Sequence, residues 1–172
     1  ISNKKYISKG MYTPSGACVF KNNLNQEKLD LLYKVNNFDD NAITIYMLQF
    51  GDVYYFDRTI YVYRQTGDSL WNSISDCEKN IVNTLDYKLT CSLSPLLKKE
   101  ILNRHFGSIK YLYKNRKNLK KILGSTCEKY IALADKNDDL FIRNIINWDN
   151  ISFLDKIKIK LIYTLMKIKR KQ

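Results

Sequence analysis

The chain has only two prolines and six glycines among 172 residues. So little punctuation leaves room for long uninterrupted elements and few tight turns. Its four cysteines, Cys18, Cys77, Cys91 and Cys127, stand far apart with no Cys-x-x-Cys pair. That spacing supports neither a metal site nor a disulfide framework, and it fits a reducing compartment. His105 is the single histidine. No nucleophile–base pair can be built on it, and on a basic helix it reads as a surface or core-edge residue. No signal-peptide pattern opens the chain, and no apolar run approaches the roughly 20 residues a membrane-spanning helix needs. The first residue is Ile1 and not Met, which fits a chain that begins within a longer gene product.

What is abundant is apolar residues and positive charge. A 45% hydrophobic content belongs to a globular protein, and the length suffices for a sizeable core. The net charge is +12, and it is unevenly placed. One run, Lys110, Lys114, Arg116, Lys117, Lys120 and Lys121, falls in a helical stretch. A second, Lys156, Lys158, Lys160, Lys167, Lys169, Arg170 and Lys171, closes the chain and is opposed only by Asp155. Between its cations, Leu154, Ile157, Leu161, Leu165 and Ile168 share one helical face. A basic amphipathic helix of this kind reads as an element for an anionic membrane surface. The other reading is a terminal helix that packs inward with its lysines solvated. Nucleic acid is the rival partner for such charge, and Lys110-Tyr111-Leu112-Tyr113-Lys114 mixes aromatic and basic residues. No nucleic-acid motif accompanies it, so that partner is not expected. A basic helical nucleic-acid- or protein-binding module without catalysis is the alternative to any enzymatic reading.

Helical spacing predicts helices over residues 25–35, with Leu29, Leu32 and Val35 inward, and then from Asp40 with Ile43, Tyr46, Met47 and Phe50 on one face. Further helices are predicted over 73–89, 96–106, 108–123, 127–134, 138–147 and 152–169, with Gly107 and Gly124 as breaks. Residues 1–11 are polar and basic, and are expected to pack loosely. Asp135 to Asp139 read as a solvated loop that caps the next helix. Gly51 is placed to end the Asp40 helix in a left-handed conformation. Ala17–Phe20, Val53–Phe56 and Thr59–Tyr63 are rich in β-branched and aromatic residues and are predicted as short strands.

The most informative stretch starts at Asp39-Asp40. An acidic pair opens an apolar helix, Gly51 follows it, and Asp52 to Phe56 and the segment ending Tyr63-Arg64 come next. Upstream lies Pro14-Ser15-Gly16-Ala17-Cys18-Val19-Phe20-Lys21, a small-residue turn entering a strand. In this order and spacing, residues 10–75 resemble the acceptor-side, C-terminal portion of a bacterial inverting family 2 glycosyltransferase of GT-A type. The pattern differs at Thr66, where many relatives carry a His.

The resemblance implies a mixed α/β, mostly helical fold. A partial GT-A acceptor-side unit of short strands and helices would occupy residues 1–75, and a helical C-terminal region residues 76–172. It implies transfer of a sugar from a nucleotide-sugar donor to a hydroxyl acceptor, a glycan or a lipid-linked one. It assigns Asp40 as the base that removes the acceptor proton, with Asp39 beside it. Ser15, Gly16, Arg64 and Trp71 become substrate-binding residues. The complete enzyme would use a divalent metal, Mg or Mn, held by a nucleotide-binding half that residues 1–172 do not contain. This chain alone is therefore expected to bind no metal and to transfer no sugar. The implied location is cytoplasmic and peripheral, at the inner face of the cell membrane.

Overall fold

The computed structural model describes residues 1–8, 25–27, 30, 40–54 and 70–171. Helix α1 is Asn3–Ser8 and α2 is Asp40–Leu48. A single turn, α3, spans Leu70–Ser73, and the long helix α4 covers Asp76–Leu93. A 3₁₀ turn at Pro95–Leu97 leads into α5, Lys98–Asn115, and then α6, Leu119–Leu123. Another 3₁₀ turn, Gly124–Thr126, precedes α7, Cys127–Lys136. Helices α8, Leu140–Ile146, and α9, Phe153–Lys171, complete the series. The chain divides into two compact units. The first holds Ile1–Ser69 with Asp86–Arg104, and the second Leu70–Leu85 with His105–Gln172, so α4 and α5 contribute to both.

The expected mixed α/β architecture is not what forms. Every regular element among the described residues is helical, and no strand is present among them. The predicted strands Ala17–Phe20 and Thr59–Tyr63 lie outside the described residues, as do Tyr55 and Phe56 of the third. The described part of that third strand, Val53 and Tyr54, is irregular. The Val53 N–H donates to the Ile1 carbonyl at 2.9 Å, and the Ile1 amino group donates to the Val53 carbonyl at 2.8 Å. One reciprocal pair is the smallest piece of an antiparallel ladder. A strand needs a series of such pairs and a covered face, and exposed Tyr54 supplies no covered face.

In the first unit, α1 corrects the expectation of a loosely packed start. Tyr6 and Ile7 are buried with Ile45, Leu48, Leu97 and Ile101, and Val53, Tyr87 and Cys91 pack on that cluster. A second cluster joins Ala42, Tyr46 and Leu93. The buried face of α2 is therefore Ala42, Ile45, Tyr46 and Leu48. Ile43 and Met47 sit at its margin, and Phe50 is exposed with its ring edge-on to Tyr46 at 5.3 Å. Helix α2 ends in 3₁₀-type bonds, Gln49 N–H to Tyr46 and Phe50 N–H to Met47. Gly51 is not left-handed; among the described glycines only Gly124 is, at φ 53°.

In the second unit the expected break at Gly107 is absent, and α5 runs through it. Glycine costs a helix about 1 kcal/mol, while buried Phe106, Ile109 and Leu112 hold both sides of it. The chain breaks instead at residues 116–118. Helix α4 starts where Ser75 and Glu78 form a reciprocal cap: the Ser75 N–H donates to Glu78 at 2.8 Å, and the Glu78 N–H donates to Ser75 Oγ at 3.3 Å. Asp139 caps α8 through the Ile142 N–H at 3.0 Å, as the acidic loop predicted. Of the predicted 25–35 helix, Gln26, Glu27 and Asp30 are helical, while Leu29, Leu32 and Val35 lie outside the described residues.

Candidate functional site

Asp40 is the first residue of α2, the place the acidic-pair reading assigns to it. The far end of α2 is tied down by side chains. Asn3 Nδ2 donates to the Leu48 carbonyl at 2.9 Å, and Gln49 Nε2 donates to the Leu93 carbonyl at 3.3 Å. Midway, the Ser94 hydroxyl donates to the Ile45 carbonyl at 3.1 Å, and both groups are buried. The Asp52 carboxylate accepts from the Asn3 N–H at 2.9 Å and fixes the turn after the helix. Backbone carbonyls that would otherwise lack partners are satisfied here, and the helix cannot roll without breaking these bonds.

Of the other residues assigned by resemblance, Asp39, Ser15, Gly16 and Arg64 lie outside the described residues. Trp71 is on α3 and exposed. It belongs to the second unit and Asp40 to the first. No group of three His, Cys, Asp or Glu that could hold a metal occurs among the described residues.

Burial, with the neighbouring Glu78 charge, pushes the Cys77 thiol up to about 11. Burial likewise pushes Cys91 of the first unit up to about 11. Both thiols stay protonated and unreactive at neutral pH. The Glu78 carboxyl is partly desolvated, which raises it. The hydrogen bonds from Ser75 and Tyr130 outweigh that and hold it below its ordinary value. The Tyr130 hydroxyl donates a hydrogen bond to Glu78 at 3.1 Å, and burial and this bond raise its own pKa. His105 is buried, not at the surface, with Nδ1 2.6 Å from the Asn83 carbonyl. An Nδ1–H donor satisfies that carbonyl within the core.

The sequence reading missed an aromatic and cationic stack. Tyr163 of α9 lies parallel to Tyr113 at 4.0 Å and to Phe106 at 5.9 Å. The Arg116 guanidinium is over Tyr113 at 4.3 Å and over Trp148 at 4.8 Å. Lys156 and Arg170 extend the series over Trp148 and Phe106. Tyr163 and Arg116 thus both pack close to the Tyr113 ring. The detectable signal was Tyr113 and Arg116 three apart on one helical face. The stack fixes which way α9 faces. Ile159 and Tyr163 turn inward, whereas Leu154, Ile157, Leu161, Leu165 and Ile168 are exposed.

No protein-family model, no curated protein and no solved structure matches the chain. No helix among the described residues is long and apolar enough to cross a membrane.

Proposed function

We propose that the chain is the acceptor-side portion of an inverting nucleotide-sugar transferase that works peripherally at the inner face of the cell membrane. The single observation carrying the catalytic part is that Asp40 opens α2, a helix whose second half is anchored at Ile45 and Leu48. The sequence order around it, acidic pair, helix, Gly51, then Tyr63-Arg64, supplies the reaction class. In that reaction a hydroxyl oxygen attacks the anomeric carbon, the nucleoside diphosphate leaves, and Asp40 takes the hydroxyl proton as the bond forms. A rigid helix suits this task, because a base must sit within hydrogen-bond reach of the proton it removes. Asp39 would orient the acceptor or raise the pKa of its neighbour by like-charge proximity. Donor binding belongs to a nucleotide-binding half outside residues 1–172, which would also hold the divalent metal.

The membrane part of the reading is supported by the exposed apolar stripe of α9 and by the +12 charge. The test of the catalytic part is Asp40→Asn in the complete enzyme. Turnover should fall about 10²–10⁴-fold with donor affinity kept. Turnover near that of the parent would remove Asp40 from the mechanism.

A further inference from the structure

Helix α9 is apolar on two opposite faces. At about 100° per residue, Ile159 and Leu161 point roughly 200° apart. Ile159 is 1% exposed and Tyr163 is stacked on Tyr113, so one face is already spent on the core. The other carries Leu154, Ile157, Leu161, Leu165 and Ile168, each 40–67% exposed. From Leu154 to Ile168 this stripe is about 21 Å long at 1.5 Å per residue. Lysines border it on both sides. Helical spacing puts Lys158 and Lys169 along one edge, and Lys160, Lys167 and Lys171 along the other. The helix has seven basic residues and one acid. That acid, Asp155, is already engaged by the Ser152 hydroxyl at 2.7 Å and by Lys158 at 3.3 Å.

We infer that this outer stripe seats α9 lengthwise in the headgroup boundary of an anionic lipid bilayer, with the inner face still packed on α5. The occupant follows from charge complementarity. Five lysines flanking an apolar band match phosphate headgroups around acyl chains. A second copy of α9 would instead set lysine edge against lysine edge. Because the Tyr163 stack and Ile159 hold the helix from behind, docking needs no rearrangement of the second unit. The inference deepens the membrane part of the reading above and is independent of sugar transfer.

The test is co-sedimentation of the full chain with vesicles of phosphatidylcholine alone or mixed with phosphatidylglycerol, at low salt. The chain is expected to pellet with the mixed vesicles and not with the neutral ones. Leu161→Glu combined with Leu165→Glu changes only exposed positions. It should keep the circular dichroism spectrum and urea midpoint, and weaken vesicle binding at least about 100-fold. Three results would overturn the inference. One is a parent chain that ignores mixed vesicles; another is a double variant that binds like the parent. The third is a parent dimer in solution that the double variant converts to monomer, which would make a second copy the occupant. Vesicle binding is read without donor or acceptor, so it is decided separately from transfer.

Discussion

Truncating Ile159 to alanine tests the orientation of α9 directly, with Leu161→Ala as its partner experiment. The two positions are two residues apart on one helix, and both are branched aliphatics. Ile159 is 1% exposed and Leu161 57%. Removing a fully buried Ile side chain loses its transfer free energy and leaves a cavity, about 2–5 kcal/mol in all. Removing an exposed Leu falls within about 0.5 kcal/mol. Alanine is the better helix former at both positions, by more over Ile than over Leu, and this offsets only a few tenths of a kcal/mol of the loss. For a chain of this size a urea slope of about 2 kcal/mol/M is reasonable. A 3 kcal/mol loss then moves the midpoint down by about 1.5 M, while Leu161→Ala moves it by under about 0.3 M. Circular dichroism at 222 nm (the helical band) reads both. Equal losses from the two variants would mean that α9 does not face as described, and the docking stripe would fall with it.

Other expectations are more local. Tyr163→Ala should destabilise by about 2–4 kcal/mol, since it loses half-buried ring area and two ring pairs of about 0.5–1.5 kcal/mol each, while Tyr163→Phe keeps most of that. Ser75→Ala should cost about 1 kcal/mol by removing the α4 cap. The same carboxylate sets an acid limb: Glu78 is held below its ordinary value of 4.5, so its contribution is present above that value and lost as pH falls through the lowered one. Differential urea curves for Glu78→Gln and the parent, between pH 7 and 3, should converge at the acid end. Cys77 and Cys91 set an alkaline limb. Their thiols titrate near 11 folded against 9.0 ordinarily, so the folded state binds these protons more tightly. That stability is complete below pH 9 and disappears as pH rises through 11; Cys77→Ser should flatten the alkaline decline, and iodoacetamide should label neither thiol appreciably at pH 8.

The helical half of the chain could be read from its residues because the signals there are local. An Asp three residues before Ile142, itself inside an apolar run, makes a cap whatever surrounds it, and Asp139 became one. The apolar spacing of residues 154–168 likewise gave α9 and its outer stripe. What local signals could not settle was which of two apolar faces is buried. In α2 the buried choice is Ile45 over Ile43, decided by where α1 and Leu93 lie. Gly107 carries a helix-breaking signal, overridden by tertiary burial on both sides of it. Tyr6 and Ile7 are two apolar residues in a polar stretch, too few to show a period, yet both are core. Val53 and Tyr54 have strand composition without the pairing that makes strands. At the candidate site, the helix start at Asp40 was legible as a capping signal, whereas its chemistry comes only from the order of motifs along the chain.

The lysine borders of α9 have a colloidal consequence. An uncovered band of leucine and isoleucine on a dissolved protein invites copies of that protein to pair through it. Here every approach of two bands also brings together two rows of like charge, and at low ionic strength that repulsion keeps molecules apart. Added salt shortens its reach from about 30 Å at 0.01 M to about 3 Å at 1 M. Sulfate in addition strengthens apolar burial. Salt thus weakens the pull toward an anionic surface and, by the same screening, removes the guard against clumping. The protein should be most dispersed in the dilute buffers where it holds lipid best, and should cloud in concentrated sulfate well before the double glutamate variant does.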